Sequence, residues 1–338
     1  MKGDKVTSKQ VAERAGVSQA AVSRVFTPGA SASRKTADKV RKAAGELGYR
    51  PNILARSLIT GKSQIIGLVV AYLENQFYPE AIEKLSKTLQ LHGYHVLIFM
   101  ASNDEGTNQN VIDELIDYQV DGIITASVGM SNALTARCEA AGIPIILFNR
   151  LQDDERLSGV SSDNFHGGYK LAEFLIQAGH QRIAHIGGWK GASTQRDREA
   201  GFISCLAAHK MVLFKKTEGN FHYEQAQQAA RDLFASGQPP DAVFVANDHM
   251  AFAAMDVVRF ELGLRIPEDV SFVGYDDVAL AAWPSYNLTT VRQPANRMVT
   301  ETVQMLLARI NSPDAKPRRV SIDGPLIIRG SAKRPEGS

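Results

Sequence analysis

Residues 6–26 read VTSKQVAERAGVSQAAVSRVF. Apolar side chains fall at Val11, Ala12 and Ala15, and again at Val17, Ala21, Val22 and Val25. Each set has helical spacing and marks one buried stripe. Gly16 stands between them, where the chain must turn sharply and a left-handed backbone costs least. Ser18 is placed to cap the second helix. Gln19, Ala20, Ser23 and Arg24 are left on its outer face. Small residues and polar donors, with no acid among them, suit a helix that lies in a DNA groove.

Charge divides the chain in the same way. Residues 1–62 carry 13 Lys and Arg against 4 Asp and Glu, a balance of +9, while the remainder carries 25 against 32, a balance of −7. A basic head on an acidic body implies a polyanion partner for the head alone. With 338 residues and 44% hydrophobic content, there is ample material for a large core plus a small extra domain. Two cysteines, Cys138 and Cys205, make no disulfide framework. No apolar leader and no run of about 18 apolar residues is present, so a cytoplasmic protein without a membrane segment is expected.

Working outward, Ser33 can cap a third helix over 34–47, with Ala37, Val40, Ala44 and Leu47 inward and Gly48 ending it. Pro51 interrupts, and 52–60 is a short amphipathic segment before a flexible Gly61-Lys62-Ser63 joint. Beyond it the pattern changes. Branched apolar runs at 65–70, 96–100, 122–126 and 143–148 alternate with helical stretches at 78–92 and 108–118. A second series follows, with strands at 183–186, 242–246 and 271–274. Strands alternating with helices predict parallel sheets covered on both faces, here in two similar lobes. Ligands of such sheets bind beyond the carboxyl ends of the strands, so two facing lobes would enclose a cleft.

These motifs, taken in order, resemble the lactose-repressor/galactose-repressor family of bacterial transcription regulators. The resemblance rests on the VAERAGVS and AVSRV segments of the head, ELGYRPN at 46–52 and ARSLITGKSQIIGLVV at 55–70. DGII at 121–124, FNR at 148–150, AND at 246–248, GYDD at 274–277 and LTTVRQP at 288–294 continue it. It implies a small all-α helix-turn-helix DNA-binding head and an α/β, two-lobed, periplasmic-binding-protein-like body. The expected boundaries are a head at 1–50, a hinge helix and linker at 51–63 and a body at 64–330. The lobes would be 64–162 with 292–322, and 163–291 with 323–330; a flexible tail would occupy 331–338.

In the head, the resemblance implies that Gln19 and Ala20 face base edges and that Ser23 and Arg24 reach bases or phosphates. Arg24 suits a two-point contact with guanine. Thr7, Ser18, Ser33, Thr36 and Tyr49 are placed for phosphates, although Ser18 and Ser33 serve equally as helix caps. Asn52, Ala55 and Leu58 match the family's hinge helix. Leu58 would wedge between central base steps of a near-palindromic operator, with a central CG step; a core residue of a linker helix is the alternative. The Thr27-Pro28-Gly29-Ala30 turn and Ala32 depart from the family's pattern.

In the body, the matching positions for effector contact are Phe77, Tyr78, Ser127, Asn149, Arg150, Arg198, Phe221, Asn247 and Asp276, with Trp283 at the rim. Arginines beside Asn and Asp suit a polyhydroxylated ligand, a sugar or sugar derivative. A sugar acid or a nucleobase acting as corepressor is the alternative. Asn247 and Asp276 can also be helix caps, and Arg198 a surface ion pair. Ala126 and Ala295 stand where some members carry polar and aromatic residues. No cofactor and no metal site is expected, since His180, His185 and His209 are scattered and no nucleophile elbow or zinc motif occurs. An enzyme and a solute-binding protein without DNA function are the rival classes. The family dimerises through its body, and no heptad tail follows residue 330, so a homodimer is expected.

Overall fold

The computed structural model describes residues 6–27, 30–50, 62–71, 73–101, 105–128, 132–235 and 237–335. The chain forms two compact units, 1–63 and 64–338. The expected hinge contacts Asn52, Ala55 and Leu58, and part of the 27–30 turn, lie outside the described residues.

The first unit contains three helices, α1 (Ser8–Ala15), α2 (Gln19–Phe26) and α3 (Arg34–Leu47). Their apolar stripes meet in a small core of Val11, Ala12, Val22, Val40, Ala43 and Ala44, with Phe26, Leu47 and Tyr49 packed around it. Gly16 adopts φ +65° and sends its N–H back to the last carbonyls of α1, so one residue both ends that helix and turns the chain. Every helix start is capped. Thr7 and Gln10 form a reciprocal capping box, Ser18 accepts from the Ala21 N–H and Ser33 from the Thr36 N–H.

The second unit holds two six-stranded sheets. The first uses β1 (Ile65–Val70), β2 (His95–Met100), β3 (Gly122–Ala126), β4 (Ile145–Phe148), β5 (Ser158–Ser162) and a late strand, β11 (Arg319–Ile322). Its order is β11-β5-β4-β3-β1-β2, parallel throughout. Helices α4 (Phe77–Leu91), α5 (Glu105–Asp117) and α6 (Asn132–Ala140) connect its strands.

The second sheet repeats this plan. Its strands are β6 (Ile183–Gly187), β7 (Lys215–Glu218), β8 (Ala242–Val245), β9 (Ser271–Asp276), β10 (Thr289–Arg292) and β12 (Leu326–Ile327), in the order β12-β10-β9-β8-β6-β7. Only β12 runs antiparallel. Its helices are α7 (Asn164–Gln177), α8 (Ser193–Ala208), α9 (Tyr223–Phe234) and α10 (Asp248–Asp256), the last continuing as one π turn, Val257–Glu261. A final helix, α11 (Ala295–Asn311), precedes β11. The chain thus passes between the sheets three times, after β5, β10 and β11. These passages are cross-tied by Asp163 N–H to the Ile322 carbonyl at 2.9 Å and Arg292 N–H to the Pro325 carbonyl at 2.9 Å.

Several boundaries differ from the sequence reading. Polar strands β5 (SGVSS) and β7 (KKTE) lack a branched apolar run and are missed by periodicity. The expected flexible tail from 331 is corrected for its first residues. Ser331 and Ala332 are buried. Ser331 bridges β9 and β10: its hydroxyl donates to the Phe272 carbonyl and accepts from the Thr289 N–H. A polar tail sequence is held here because it completes sheet-edge hydrogen bonds that local pattern does not reveal.

Helices α7 and α8 lie in backbone contact. A Cβ on Gly168 would sit 2.0 Å from the Arg198 carbonyl oxygen, and one on Gly201 would sit 1.9 Å from that of Phe165. Two glycines therefore fix the depth at which α8 delivers Arg198. Among the described residues no helix is long and apolar enough to cross a membrane.

Candidate functional site

In the head, Gln19, Ala20, Ser23 and Arg24 are all exposed along α2 while Val22 is buried, as a helix with one reading face requires. Arg24 makes no ion pair among the described residues. Gln19 is held in place by a hydrogen bond from its Nε2 to the Ser8 hydroxyl at 2.8 Å. Thr7, Ser18 and Ser33 are caps, and the Thr36 hydroxyl shares a 2.8 Å hydrogen bond with Ser33. Capping uses a hydroxyl's lone pairs and leaves its proton to donate, so one residue can close a helix and touch a phosphate; in Thr7 that proton goes to Gln10 Oε1 at 3.2 Å. Tyr49 packs its ring 5.9 Å from Phe26.

In the body, nine side chains converge between the carboxyl ends of the two sheets. From the first sheet come Asn75 and Tyr78 beyond β1, and Asn149 and Arg150 beyond β4; from the second come Thr194 and Arg198 on α8, Phe221 beyond β7, Asn247 beyond β8 and Asp276 at the end of β9. The space they enclose is about 10 Å³, room for about one water molecule. The lobes are in direct contact through it: Asn75 Nδ2 donates to Asp276 Oδ2 at 2.9 Å.

Asp276 is the hub. Besides Asn75, it accepts from Gln293 Nε2 at 2.6 Å and from Arg198 Nη2 at 3.3 Å. Arg198 is itself fixed on three further sides. Its Nε donates to Asn164 Oδ1 at 2.8 Å and its Nη1 to the Ala246 carbonyl at 2.7 Å, and its guanidinium lies 3.7 Å from the centre of the Tyr275 ring. The expected alternative, a surface ion pair, is excluded by its 2% exposure. Burial pushes the Asp276 carboxyl up from its ordinary value, opposed mainly by Arg198. Behind it, burial and the Asp276 charge hold Asp248 up at about 7. Burial likewise raises the Tyr78 hydroxyl, which accepts from Asn149 Nδ2 at 3.1 Å. The Asn149 side-chain oxygen is buried and has no hydrogen-bond partner among the described residues. Arg150 lies 5.4 Å over the Trp189 ring.

The strand ends carry backbone strain. Ser127 (φ +62°), Asn149 (+69°), Asn220 (+52°), Phe221 (+66°), Asp276 (+126°) and Asp277 (+57°) are all left-handed without being glycine. Each such residue costs on the order of 1–3 kcal/mol and persists only where surrounding contacts over-determine it. All six lie at or just past the ends of the strands that face the cleft.

Seven of the ten expected contacts are thus brought together: Tyr78, Asn149, Arg150, Arg198, Phe221, Asn247 and Asp276. Three are not. Phe77 is buried against Phe148, their rings stacked 6.2 Å apart, and it faces a neighbouring pocket instead. Ser127 is fully buried outside the cleft lining, its hydroxyl without a partner among the described residues. Trp283 follows a short 3-10 turn, Ala279–Ala282, and is 56% exposed. The cap reading of Asn247 also holds, since its side-chain oxygen accepts from the Met250 N–H at 3.0 Å. Asn75 and Thr194 were missed. Their signal was the position just past a strand and just inside a helix start, which the motifs did not cover.

A helix-turn-helix head and a two-lobed body with a polar strand-end cleft define an effector-modulated, DNA-binding transcriptional repressor. Residues 7–52 match the family model described as bacterial regulatory proteins, lacI family, and 172–332 match that of a periplasmic binding protein-like domain. The chain is 30% identical to the probable HTH-type transcriptional repressor ExuR of Bacillus subtilis strain 168, over 97% of its own length and 99% of that protein's. It is 33% identical to the HTH-type transcriptional repressor PurR of Erwinia tasmaniensis, over 96% of each. Among solved structures it is similar to the lac repressor dimer bound to operator and the anti-inducer ONPF, with a TM-score of 0.88, 27% identity and coverage of 97% and 99%. It is also similar to a transcriptional regulator CelR–cellobiose complex, with a TM-score of 0.74, 30% identity and coverage of 97% and 100%. The chain belongs to the lacI family of bacterial regulatory proteins.

Proposed function

We propose that this repressor binds a near-palindromic operator as a homodimer and that a hydroxyl-rich ligand of the carbohydrate class, held in the cleft, sets its affinity for DNA. The observation that carries the ligand class is the Asp276–Arg198 pair with Asn75, Asn149 and Asn247 around it. A carboxylate accepts from adjacent hydroxyls, a guanidinium donates in a fixed fork and each amide does both, which is the pattern a polyol needs. Tyr78 and Phe221 supply apolar ring surface beside them.

The cleft lies between two sheets joined by three chain passages and has room for about one water as the lobes touch at Asn75 and Asp276, so a sugar enters only as the lobes part and favours that lobe angle. It shifts the DNA-binding equilibrium only by its differential affinity for the two states. Gln19, Ala20, Ser23 and Arg24 are assigned to base edges, with Thr7, Ser18, Ser33, Thr36 and Tyr49 on phosphates. Asn52, Ala55 and Leu58 are assigned to the minor groove at a central CG step, all by family resemblance. Acting on an operator places the protein in the cytoplasm, and the reading assigns it no catalytic step.

A sugar acid is the second reading. Two arginines, Arg150 and Arg198, face the cleft against one carboxylate, Asp276, so the lining carries a formal excess of one positive charge. A thermal-shift screen of the full chain against neutral sugars and sugar acids tests both. A ligand at about 100 times its Kd stabilises by about 2.7 kcal/mol. The same compound must change operator affinity in a gel-shift titration. Stabilisation with no change in operator affinity would overturn the regulatory reading.

A further inference from the structure

The segment that follows β6, Gly188-Trp189-Lys190-Gly191-Ala192, carries a half-buried indole that stands outside the cleft lining. Its own lobe fixes it. The Gly188 N–H donates to Gln195 Oε1 at 2.6 Å, and the Ala192 N–H donates to the Trp189 carbonyl at 3.0 Å. A Cβ on Gly191 would sit 2.3 Å from the indole, so only glycine there leaves room for the ring. Trp189 also packs against the core of the body. From the other lobe, beyond β4, the Arg150 guanidinium reaches to 5.4 Å from the centre of this ring.

Other side chains bridge the lobes, but at the surface. Arg196 meets Asp153 at 3.4 Å with both side chains exposed, and His249 meets Glu74 only at 3.9 Å with the carboxylate exposed. Ion pairs in water contribute little. Arg150 is buried. A guanidinium withdrawn from water gains most from an aromatic face. The Arg150–Trp189 contact joins residues of different sheets, so it exists while the lobes touch and is broken as they part.

We propose that Trp189 is a latch: its indole holds Arg150 and favours the arrangement in which the lobes touch. A ligand works against this latch to enter the cleft. Only parted lobes admit a sugar, so the apparent Kd is the intrinsic one divided by the parted fraction. Loosening the latch raises that fraction and tightens ligand binding, whereas losing a ligand contact weakens it. This consequence rests on the cleft being the effector site; the latch itself does not.

Hydrogen exchange read by mass spectrometry on the full chain tests the latch without a ligand. The Asn75 side chain accepts from the Phe77 N–H at 3.1 Å and donates to Asp276 across the cleft at 2.9 Å. Segment 75–78 therefore loosens as the lobes part, although it lies in the lobe opposite residue 189. Trp189→Leu keeps an apolar side chain without the aromatic face and speeds exchange at 75–78 by roughly fivefold or more. Trp189→Phe, which keeps a face, restores most of the protection. Exchange at 75–78 that is unchanged in Trp189→Leu overturns the latch. Acceleration that extends equally to the core strand β8 also overturns it, by making Trp189 a residue of general stability. Glucuronate and glucose, titrated by calorimetry, read the coupling. Tighter binding of either to Trp189→Leu upholds it, and weaker binding overturns it by making Trp189 a ligand contact. Failure of both sugars to bind either form counts against the cleft reading alone, and the exchange result decides the latch.

Discussion

Arg198 and Asp276 meet at 3.3 Å with side-chain exposures of 3% and 1%, one from a helix and the other from a strand end 78 residues later. A pair so deeply buried is held by its surroundings: Asn164, the Ala246 carbonyl and Tyr275 on one side, Asn75 and Gln293 on the other. Removing one partner leaves the other charge buried and uncompensated, a loss of about 3–5 kcal/mol. Asp276→Asn is therefore expected to lower stability in denaturant titration and to abolish effector response in the gel-shift assay. Unchanged ligand affinity in a folded variant would remove Asp276 from the site.

The glycine contacts between α7 and α8 predict a remote effect on the same residue. Gly168→Ala must push α8 away by its backbone, since the obstacle is the Arg198 carbonyl rather than a flexible side chain. Overpacking of this kind costs about 1–3 kcal/mol. The variant is expected to lose effector affinity along with thermal stability, although residue 168 lines no part of the cleft. A drop in Tm with full affinity would separate helix spacing from Arg198 placement.

Asp248 gives a pH dependence. Its folded pKa of about 7 lies above its ordinary 3.8, so the folded state holds the proton more firmly than the unfolded chain. Its contribution is fully present below 3.8 and is lost as pH rises through about 7. His185 works in the opposite direction. Burial holds it down at about 4 against an ordinary 6.5, so stability is lost as pH falls from 6.5 through 4. Asp248→Asn keeps an acceptor for the Val278 N–H and presents a donor to the Thr290 hydroxyl, and it should remove the fall in stability between pH 3.8 and about 7, leaving the His185 rise between about 4 and 6.5 unopposed. Tm measured from roughly pH 4 to 8 checks this; a pH profile unchanged in the variant would assign the fall to another group.

For the head, Arg24→Ala should cost about 1–3 kcal/mol of operator affinity and relax preference at one base pair, with Arg24→Lys failing to restore it. Selection from a randomised operator library reads this directly. Equal loss across all sequences would instead make Arg24 a phosphate contact.

Ser33 separates capping from DNA contact. Ser33→Ala should cost about 1 kcal/mol of stability, whereas Ser33→Gly should cost only about a few tenths. If the hydroxyl also touches a phosphate, both variants lose DNA affinity alike. If affinity follows stability instead, Ser33 is a cap only.

Much of this protein was legible in its sequence because the relevant forces are local. The head is decided within 21 residues: helical spacing around Val11 and Val22, a left-handed Gly16 and a capping Ser18 are consequences of neighbours in the chain. The alternation of strand and helix was legible for the same reason, since branched apolar runs such as IIGLVV report burial on both faces. Strands β5 and β7 were not, because their polar sequences pair only when a sheet edge is already there to receive them. The cleft was legible through motif resemblance down to seven side chains, but Phe77, Ser127 and Trp283 show what resemblance omits. Whether a residue past a strand faces the cleft depends on the left-handed turn it makes and on what packs behind it, as the φ values of Asn149 and Phe221 illustrate. Only the tertiary structure placed Gln293 against Asp276, and Asn75 across from it, because those hydrogen bonds join residues 17 and 201 positions apart. Sequence determined which segments would bury themselves; the crossing of the chain between two sheets decided which polar groups would be left facing one another.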